Sequence, residues 1–326
     1  MKRIFLVVLA AMMLLSALSA TALADAAWSG NVNLLVPAKA GGGTDVQARL
    51  MAEAVSASSD VNITILNNTD GNGVVAMETV RNAKADGSTL LQYGVVMLIN
   101  SAVGSYAYNA IDDFSPIVAS SPANGDDNYA FVTTPDAPYQ TVDELIAYAK
   151  DHPGELLCGI QTNGSTHIVA ALISDALGID IRFVEAGSDS EKLQALVGNN
   201  INLCICGDAL ASQYLESGMI TALGYVSNSA EGLRSSKLPD VPTFVEMGYA
   251  DMYWQGMQMV MGPKDMDEAL CREINAAYLA NYAAAEEQMI SASGPKVFMD
   301  YDETLATILE ASEKVNNIVD KLGIGK

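Results

Sequence analysis

Histidine is the scarcest chemistry-bearing residue in this chain, with His152 and His167 the only two in 326 residues. With so few bases, a serine or cysteine nucleophile would have little to activate it. There is no Gly-x-Ser-x-Gly elbow, no HExxH and no CxxC, and the four cysteines have no histidine partners at metal-ligand spacing. Neither a metal nor a cofactor is expected, and catalytic residues are not expected either. Positive charge is also thin, at 17 Lys and Arg against 39 Asp and Glu. Such a surface repels nucleic acid and anionic lipid, and it slows anionic ligands unless a pocket supplies a local positive field. Beyond the first two dozen residues no apolar run reaches the roughly 18 residues of a membrane span.

The first 24 residues read as an export signal. Lys2 and Arg3 precede an unbroken apolar run from Ile4 to Leu15, and Ala22-Leu23-Ala24 supplies small residues at a cleavage site. No cysteine stands near that site to take a lipid, so a soluble periplasmic or otherwise exported protein is expected. Cleavage after Ala24 removes Lys2 and Arg3 and no acid, leaving 15 basic against 39 acidic residues. The remaining chain of about 300 residues exceeds what one core usually holds, which predicts two lobes.

The stretch that organises the sequence is Pro37-Ala38-Lys39-Ala40-Gly41-Gly42-Gly43-Thr44-Asp45, between an apolar run (Val32 to Val36) and an amphipathic one (Val46 to Val55). Consecutive glycines let the backbone turn and leave its N–H groups uncovered. Thr44 reads as a helix N-cap, with Gln47 completing a capping box. The result is a strand, a bare turn and a helix start, which together form a seat for an anion such as a carboxylate. Asp45 in the first helical turn is either a ligand contact or a favourable dipole partner.

Strand and helix then alternate: Val61 to Leu66, a second glycine turn with Gly71, Asn72 and Gly73, helix Val74 to Asn82, strand Thr89 to Tyr93 and strand Ile117 to Ala119. This predicts an α/β fold with a largely parallel sheet. After the polar Ser120 to Asn128 the pattern begins again with strand Tyr129 to Thr133. Next come helix Val142 to Asp151, capped by Thr141 and Glu144, and strand Leu156 to Ile160. The turn Gln161-Thr162-Asn163-Gly164-Ser165-Thr166-His167 repeats the opening device before helix Ile168 to Leu177, with Ser165 as the cap. Strand Ile181 to Val184, the turn at Glu185, helix Glu191 to Val197 and strand Ile201 to Cys206 complete the second unit. Ile220 to Val226 is a strand returning the chain to the first unit. Val260 to Met261, helix Asp267 to Asn281 and helix Tyr301 to Leu322 close it. The expected division is residues 25–122 with 227–326 as a discontinuous first lobe and 123–226 as a second, joined by two hinge-crossing segments.

Cys158 lies on one predicted strand and Cys204 and Cys206 on another, so Cys158 pairs with one of them or all are buried thiols. His167 is a neutral donor to ligand or a packing histidine, Asp126-Asp127 a rim candidate, and Trp254 a cleft wall or core.

Several segments occur in one order with consistent spacing: Pro37 to Asp45, Asp86-Gly87-Ser88-Thr89-Leu90, Asp113-Phe114-Ser115-Pro116-Ile117, Thr141-Val142-Asp143-Glu144-Leu145, Asn163 to His167, and Leu238-Pro239-Asp240-Val241-Pro242-Thr243. In this the chain resembles the periplasmic solute-binding proteins of tripartite tricarboxylate transporters, the Bug-type receptors. The resemblance implies a two-lobed periplasmic-binding-protein fold of the Venus-flytrap, type II kind. It also implies a small organic acid held between the lobes by backbone amides and delivered to membrane permease subunits, and a monomer suits such a trap. The implied contacts are Gly42, Gly43 and Thr44 on one lobe and Thr162, Asn163, Gly164, Ser165 and Thr166 on the other, with Gly71 to Gly73 at the rim.

The chain departs from the family where Ala38 replaces an aromatic residue, where Glu185-Ala186-Gly187 replaces Tyr-Lys-Gly, and where Cys206 replaces an acid with Asp208 nearby. An alternative expectation is therefore an amino-acid or other amphoteric ligand, its ammonium near Glu185 or Asp208. An exported hydrolase is the remaining alternative class.

Overall fold

Burial alternates along Gly30–Val36, placing Val32, Leu34 and Val36 on one face and Leu35 on the other, as a strand covered on both sides requires. The computed structural model describes residues 28–325, so the expected signal segment lies outside the described residues. That first strand is β1. It runs parallel to β2 (Val61–Asn67) and β3 (Thr89–Gly94), with α1 (Gly43–Ser58) and α2 (Val74–Arg81) as the crossovers. A short α3 (Val96–Ala102) leads into β4 (Phe114–Pro122).

The chain then enters a second sheet of β5 (Tyr129–Thr133), β6 (Leu156–Ile160), β7 (Ile181–Glu185), β8 (Leu203–Gly207) and β9 (Thr221–Val226). Its helices are α4 (Val142–Asp151), α5 (Ser165–Leu177), α6 (Asp189–Val197) and α7 (Asp208–Glu216). The chain returns to the first sheet through β10 (Gln258–Pro263), α8 (Glu268–Ser293), β11 (Lys296–Phe298) and α9 (Tyr301–Leu322). The orders are β11-β4-β10-β3-β1-β2 and β7-β6-β8-β5-β9, so both sheets are mixed. This is the two-lobed, two-crossing fold expected from the sequence.

The strand orders decide where a ligand can sit. In the first sheet β1 lies between β2 and β3. The apolar residues of α1 (Met51, Val55) pack with Val32 and Leu34 on one face, while those of α2 (Met77, Val80) join Leu35 on the other. Successive crossovers on opposite faces diverge beyond the carboxyl ends of β1 and β3, and the divergence opens a crevice. The second sheet repeats the arrangement, with β6 between β7 and β8, α5 on one face and α6 on the other. A fully buried side chain such as Met51 contributes about 1.5–3 kcal/mol to holding each helix in place.

The same two faces settle the cysteines. Cys158 points into the cluster of Ile160 and Ile168, whereas Cys204 and Cys206 point into that of Leu193 and Leu196 on the other side of the sheet. Of the two alternatives, buried thiols hold: all four cysteines are free and buried. Burial pushes the Cys158 thiol up to about 12, leaving it inert.

Two further expectations need correcting. Neither Thr44 nor Ser165 is an N-cap, because α1 begins two residues earlier and α5 one residue earlier, with Gly42 and Gly164 in the cap positions. Gln47 makes no capping box and donates instead to Ser120 Oγ at 2.7 Å. Thr141 does cap α4, and Ser188 with Glu191 forms a full capping box on α6.

The two segments that cross between the sheets are laced together. Tyr225 donates to Gly125 O at 2.5 Å, and the Asn228 side chain donates to Asn124 O. The Asp126 carboxylate accepts from Ser235 Oγ at 3.0 Å and Ser236 Oγ at 2.8 Å. Asp208 accepts from Asp127 N at 2.9 Å, and its carboxylate, 2.7 Å from Ser235 Oγ, shares that hydroxyl's single proton with Asp126. Burial pushes the Asp126 carboxyl up, but the Ser236 and Ser235 bonds outweigh it and hold the group below its usual value.

Candidate functional site

Each of the two organising turns is tied by its own side chains. In the first, Asp45 is buried and accepts from Gly41 N at 2.8 Å, Asn67 Nδ2 at 2.8 Å and Arg49 Nε at 2.9 Å. Gly41 has φ +81°, a conformation glycine adopts without strain. Gly42 N donates to Lys39 O at 3.0 Å. The amides of Gly43, Thr44 and Asp45, at the first turn of α1, are left without an intrahelical acceptor.

The second turn is tied in a parallel way. Gln161 N donates to Thr166 Oγ1 at 2.9 Å, Thr162 N to Glu185 Oε2 at 2.6 Å, Asn163 N to His167 Nδ1 at 3.3 Å, and Gly164 N to Gln161 O at 3.0 Å. Those amides are spent inside the turn. The amides of Ser165 and Thr166, at the start of α5, remain. Each sheet therefore offers a helix start whose positive end points out of its crevice.

Thr44 and Ser165 line one cavity of about 240 Å³ between the two sheets. Around Thr44 the wall is Gln47, Tyr93, Gly94 and Ser120; Tyr129, Asn128 and Asp127 come from the crossing and the start of β5. Trp254, Met257, Gln258 and Lys296 close it from the returning chain. Tyr93 is held by its hydroxyl, which donates to Asn72 O at 2.8 Å, and its ring lies where a Cβ on Gly73 would come within 2.7 Å. Burial raises the Tyr93 and Tyr129 hydroxyls, so both stay neutral donors.

Of the residues singled out in the sequence, Thr44, Asp127, Ser165 and Trp254 reach this cavity, and Gly42, Gly43, Gly164 and Thr166 lie within two residues of Thr44 or Ser165. Gly71, Asn72 and Gly73 sit behind Tyr93 and act through it. Ala38 is half-buried against the first sheet's core, its carbonyl accepting from Asn67, and the aromatic surface comes instead from Tyr93, Tyr129 and Trp254. Asn163 Nδ2 donates to Ser105 Oγ at 3.1 Å, a direct contact between the two halves.

His167 supports the turn and packs edge-on against Phe183; burial lowers it below its ordinary value despite Glu185, so it accepts as a neutral ring. Glu185 is engaged with Thr162 N and Gly187 N, and Asp208 with the crossing and Lys237. Neither acid lines the cavity. Among the described residues no group of three or more His, Cys, Asp or Glu is placed to hold a metal ion.

The carboxylates that tie the turns make them acid-sensitive. Burial raises Asp45 and Glu185, but hydrogen bonds from Arg49, Gly41 and Asn67 in one case, and Thr162 and Gly187 in the other, leave both below the ordinary value. Stability from a depressed carboxyl is complete above the ordinary value of about 4 and is lost as pH falls through the lowered one. Thermal melting is therefore expected to drop as pH falls below about 4. Asp45→Asn is expected to lower the melting temperature at pH 7 and to flatten that drop.

The family model described as "Tripartite tricarboxylate transporter family receptor" matches residues 47–324. Protein BugT of Bordetella pertussis (strain Tohama I) is 26% identical over 300 residues, covering 90% of this chain and 89% of that protein. Among solved structures, a TctC solute-binding protein from Polaromonas superposes with a TM-score of 0.72 at 23% identity, over 89% of this chain and 98% of that one. Rpa4515 of R. palustris, solved with adipate, superposes with a TM-score of 0.71 at 21% identity, over 90% and 97% of the two chains. The strand orders, the paired crevices and the match over most of the length agree: this chain belongs to the receptor family of the tripartite tricarboxylate transporters.

Proposed function

We propose that this protein captures a small organic acid between its two sheets and delivers it to the membrane permease subunits of a tripartite transporter. The observation that carries the reading is that Thr44 and Ser165, each at the start of a helix leaving its sheet's switch point, line the same cavity. A carboxylate there accepts from amides that no other group uses, at the positive ends of two helices. That local field answers the difficulty set by a strongly acidic surface, which would otherwise repel the ligand.

Adipate in the Rpa4515 structure supports an acid as the ligand class. An ammonium-bearing ligand finds less support, since Glu185 and Asp208 are both committed to structural hydrogen bonds away from the cavity. An export signal at residues 1–24 agrees with a receptor working outside the cytoplasm.

The test is the chemistry of what the protein carries. Protein purified under native conditions and then denatured is expected to release a carboxylic acid detectable by mass spectrometry, and that acid is expected to rebind in calorimetry. Release and rebinding of a neutral sugar or an amine without a carboxylate would overturn the reading.

A further inference from the structure

Among the cavity-lining residues, Lys296 is the one cation and Asp127 the one acid. Lys296 opens β11, the short edge strand that pairs Lys296 with Pro122, and its side chain is only 4% exposed. A lysine this enclosed needs partners for its protons. The ammonium donates to the Asp127 carboxylate and to Ser293 O at 3.0 Å, which accounts for two of three protons.

The two ends of this ion pair are held differently. Lys296 is fixed by its strand, by Ser293 and by burial. Asp127 is 52% exposed and sits on the crossing segment with φ +59°. Its backbone is anchored by the bond from its N–H to Asp208, while its carboxylate is paired with Lys296 and open to solvent. The indole N–H of Trp254, a residue that also lines the cavity, is enclosed and has no partner. The unpartnered amide oxygens of Asn128 and Gln258 accept from a hydroxyl or from water and not from a carboxylate. Among the charged groups of this wall, only the ammonium attracts an acid.

Resting on the reading of the cleft as an acid receptor, we propose that Lys296 reads a second carboxylate on the ligand. The cavity thereby selects dicarboxylates over monocarboxylates, with Asp127 as the exchangeable partner that yields to the incoming acid. One carboxylate lies at the two helix starts and the other takes up Lys296.

The experiment uses straight-chain dicarboxylates of four to eight carbons and the monocarboxylate of each length, titrated calorimetrically into wild type, Lys296→Met and Asp127→Asn. Wild type is expected to favour the diacid that binds best over its matched monoacid by about tenfold or more, the scale of one charge-assisted hydrogen bond. Lys296→Met is expected to bring that ratio close to one by weakening the diacid and leaving the monoacid unchanged. Asp127→Asn, which leaves the lysine in place should Lys296→Met fail to fold, is expected to tighten the diacid several-fold without affecting the monoacid. A preference that survives in Lys296→Met, a wild type that prefers monoacids, or an Asp127→Asn protein with no gain overturns the proposal and leaves the acid-receptor reading standing. A wild type that binds no acid of either kind overturns both.

Discussion

Thr44→Trp is expected to abolish ligand capture, weakening binding by at least about 100-fold, while the melting temperature changes little. Thr44 is half-buried at the first turn of α1 and faces the cavity, so an indole there extends into the space between the sheets. In a cavity of about 240 Å³ an indole at this position competes with the metabolite for space. The turn itself is held by Asp45, Arg49 and Asn67, none of which the substitution touches. Thr44→Ala is the matched control and is expected to bind within a few-fold of wild type, because the contact assigned to this position is its amide. Calorimetry on both variants measures the difference. A Thr44→Trp protein that binds normally would place the ligand elsewhere.

Gly125→Ala is expected to cost about 3 kcal/mol or more of stability, a large effect for one methyl group. A Cβ at Gly125 would run into the Arg234 carbonyl and stand 2.6 Å from Leu233 O. These are backbone atoms of the other crossing segment and cannot swing aside as a side-chain tip does. The two crossings must separate, which also stretches the bond from Tyr225 to Gly125 O and those from Ser235 and Ser236 to Asp126. Urea denaturation measures the loss. Because both sheets hang from these crossings, affinity is expected to fall along with stability.

Much of the architecture was legible because both turns are built from residues whose preferences are local. The strand, glycine turn and helix at 32–55 and again at 156–177 announce themselves through period and punctuation, and they lie where expected. The helix caps were misplaced, by two residues in α1 and one in α5, because glycine caps Gly42 and Gly164 carry no side-chain signal. Three elements escaped notice. The helices at 96–102 and 208–216 are short, the first opening on an apolar run from Val96 to Ile99; β11 is three residues long and exists because the end of β4 lies beside it.

The site was legible only in part for a related reason. Turn amides are implied by sequence, but which of them are already used is not. Glu185 and His167 stood near the expected site because they consume the amides of Thr162 and Asn163. Asp208 stood near it because it ties the crossings. Lys296 and Gln258 are more than 200 residues from Thr44 and had no local signal, since only the return of the chain to the first sheet brings them to the cavity.

The central claim is that two helix starts, one from each sheet, hold a single acid between them. It is tested most directly by a crystal structure of the protein with the acid it releases on denaturation. The account predicts carboxylate oxygens within about 3 Å of amides in the first turns of both α1 and α5, at Thr44 and Ser165 or their immediate neighbours. An acid bound by one helix start alone, or bound outside the cavity between the sheets, would contradict it.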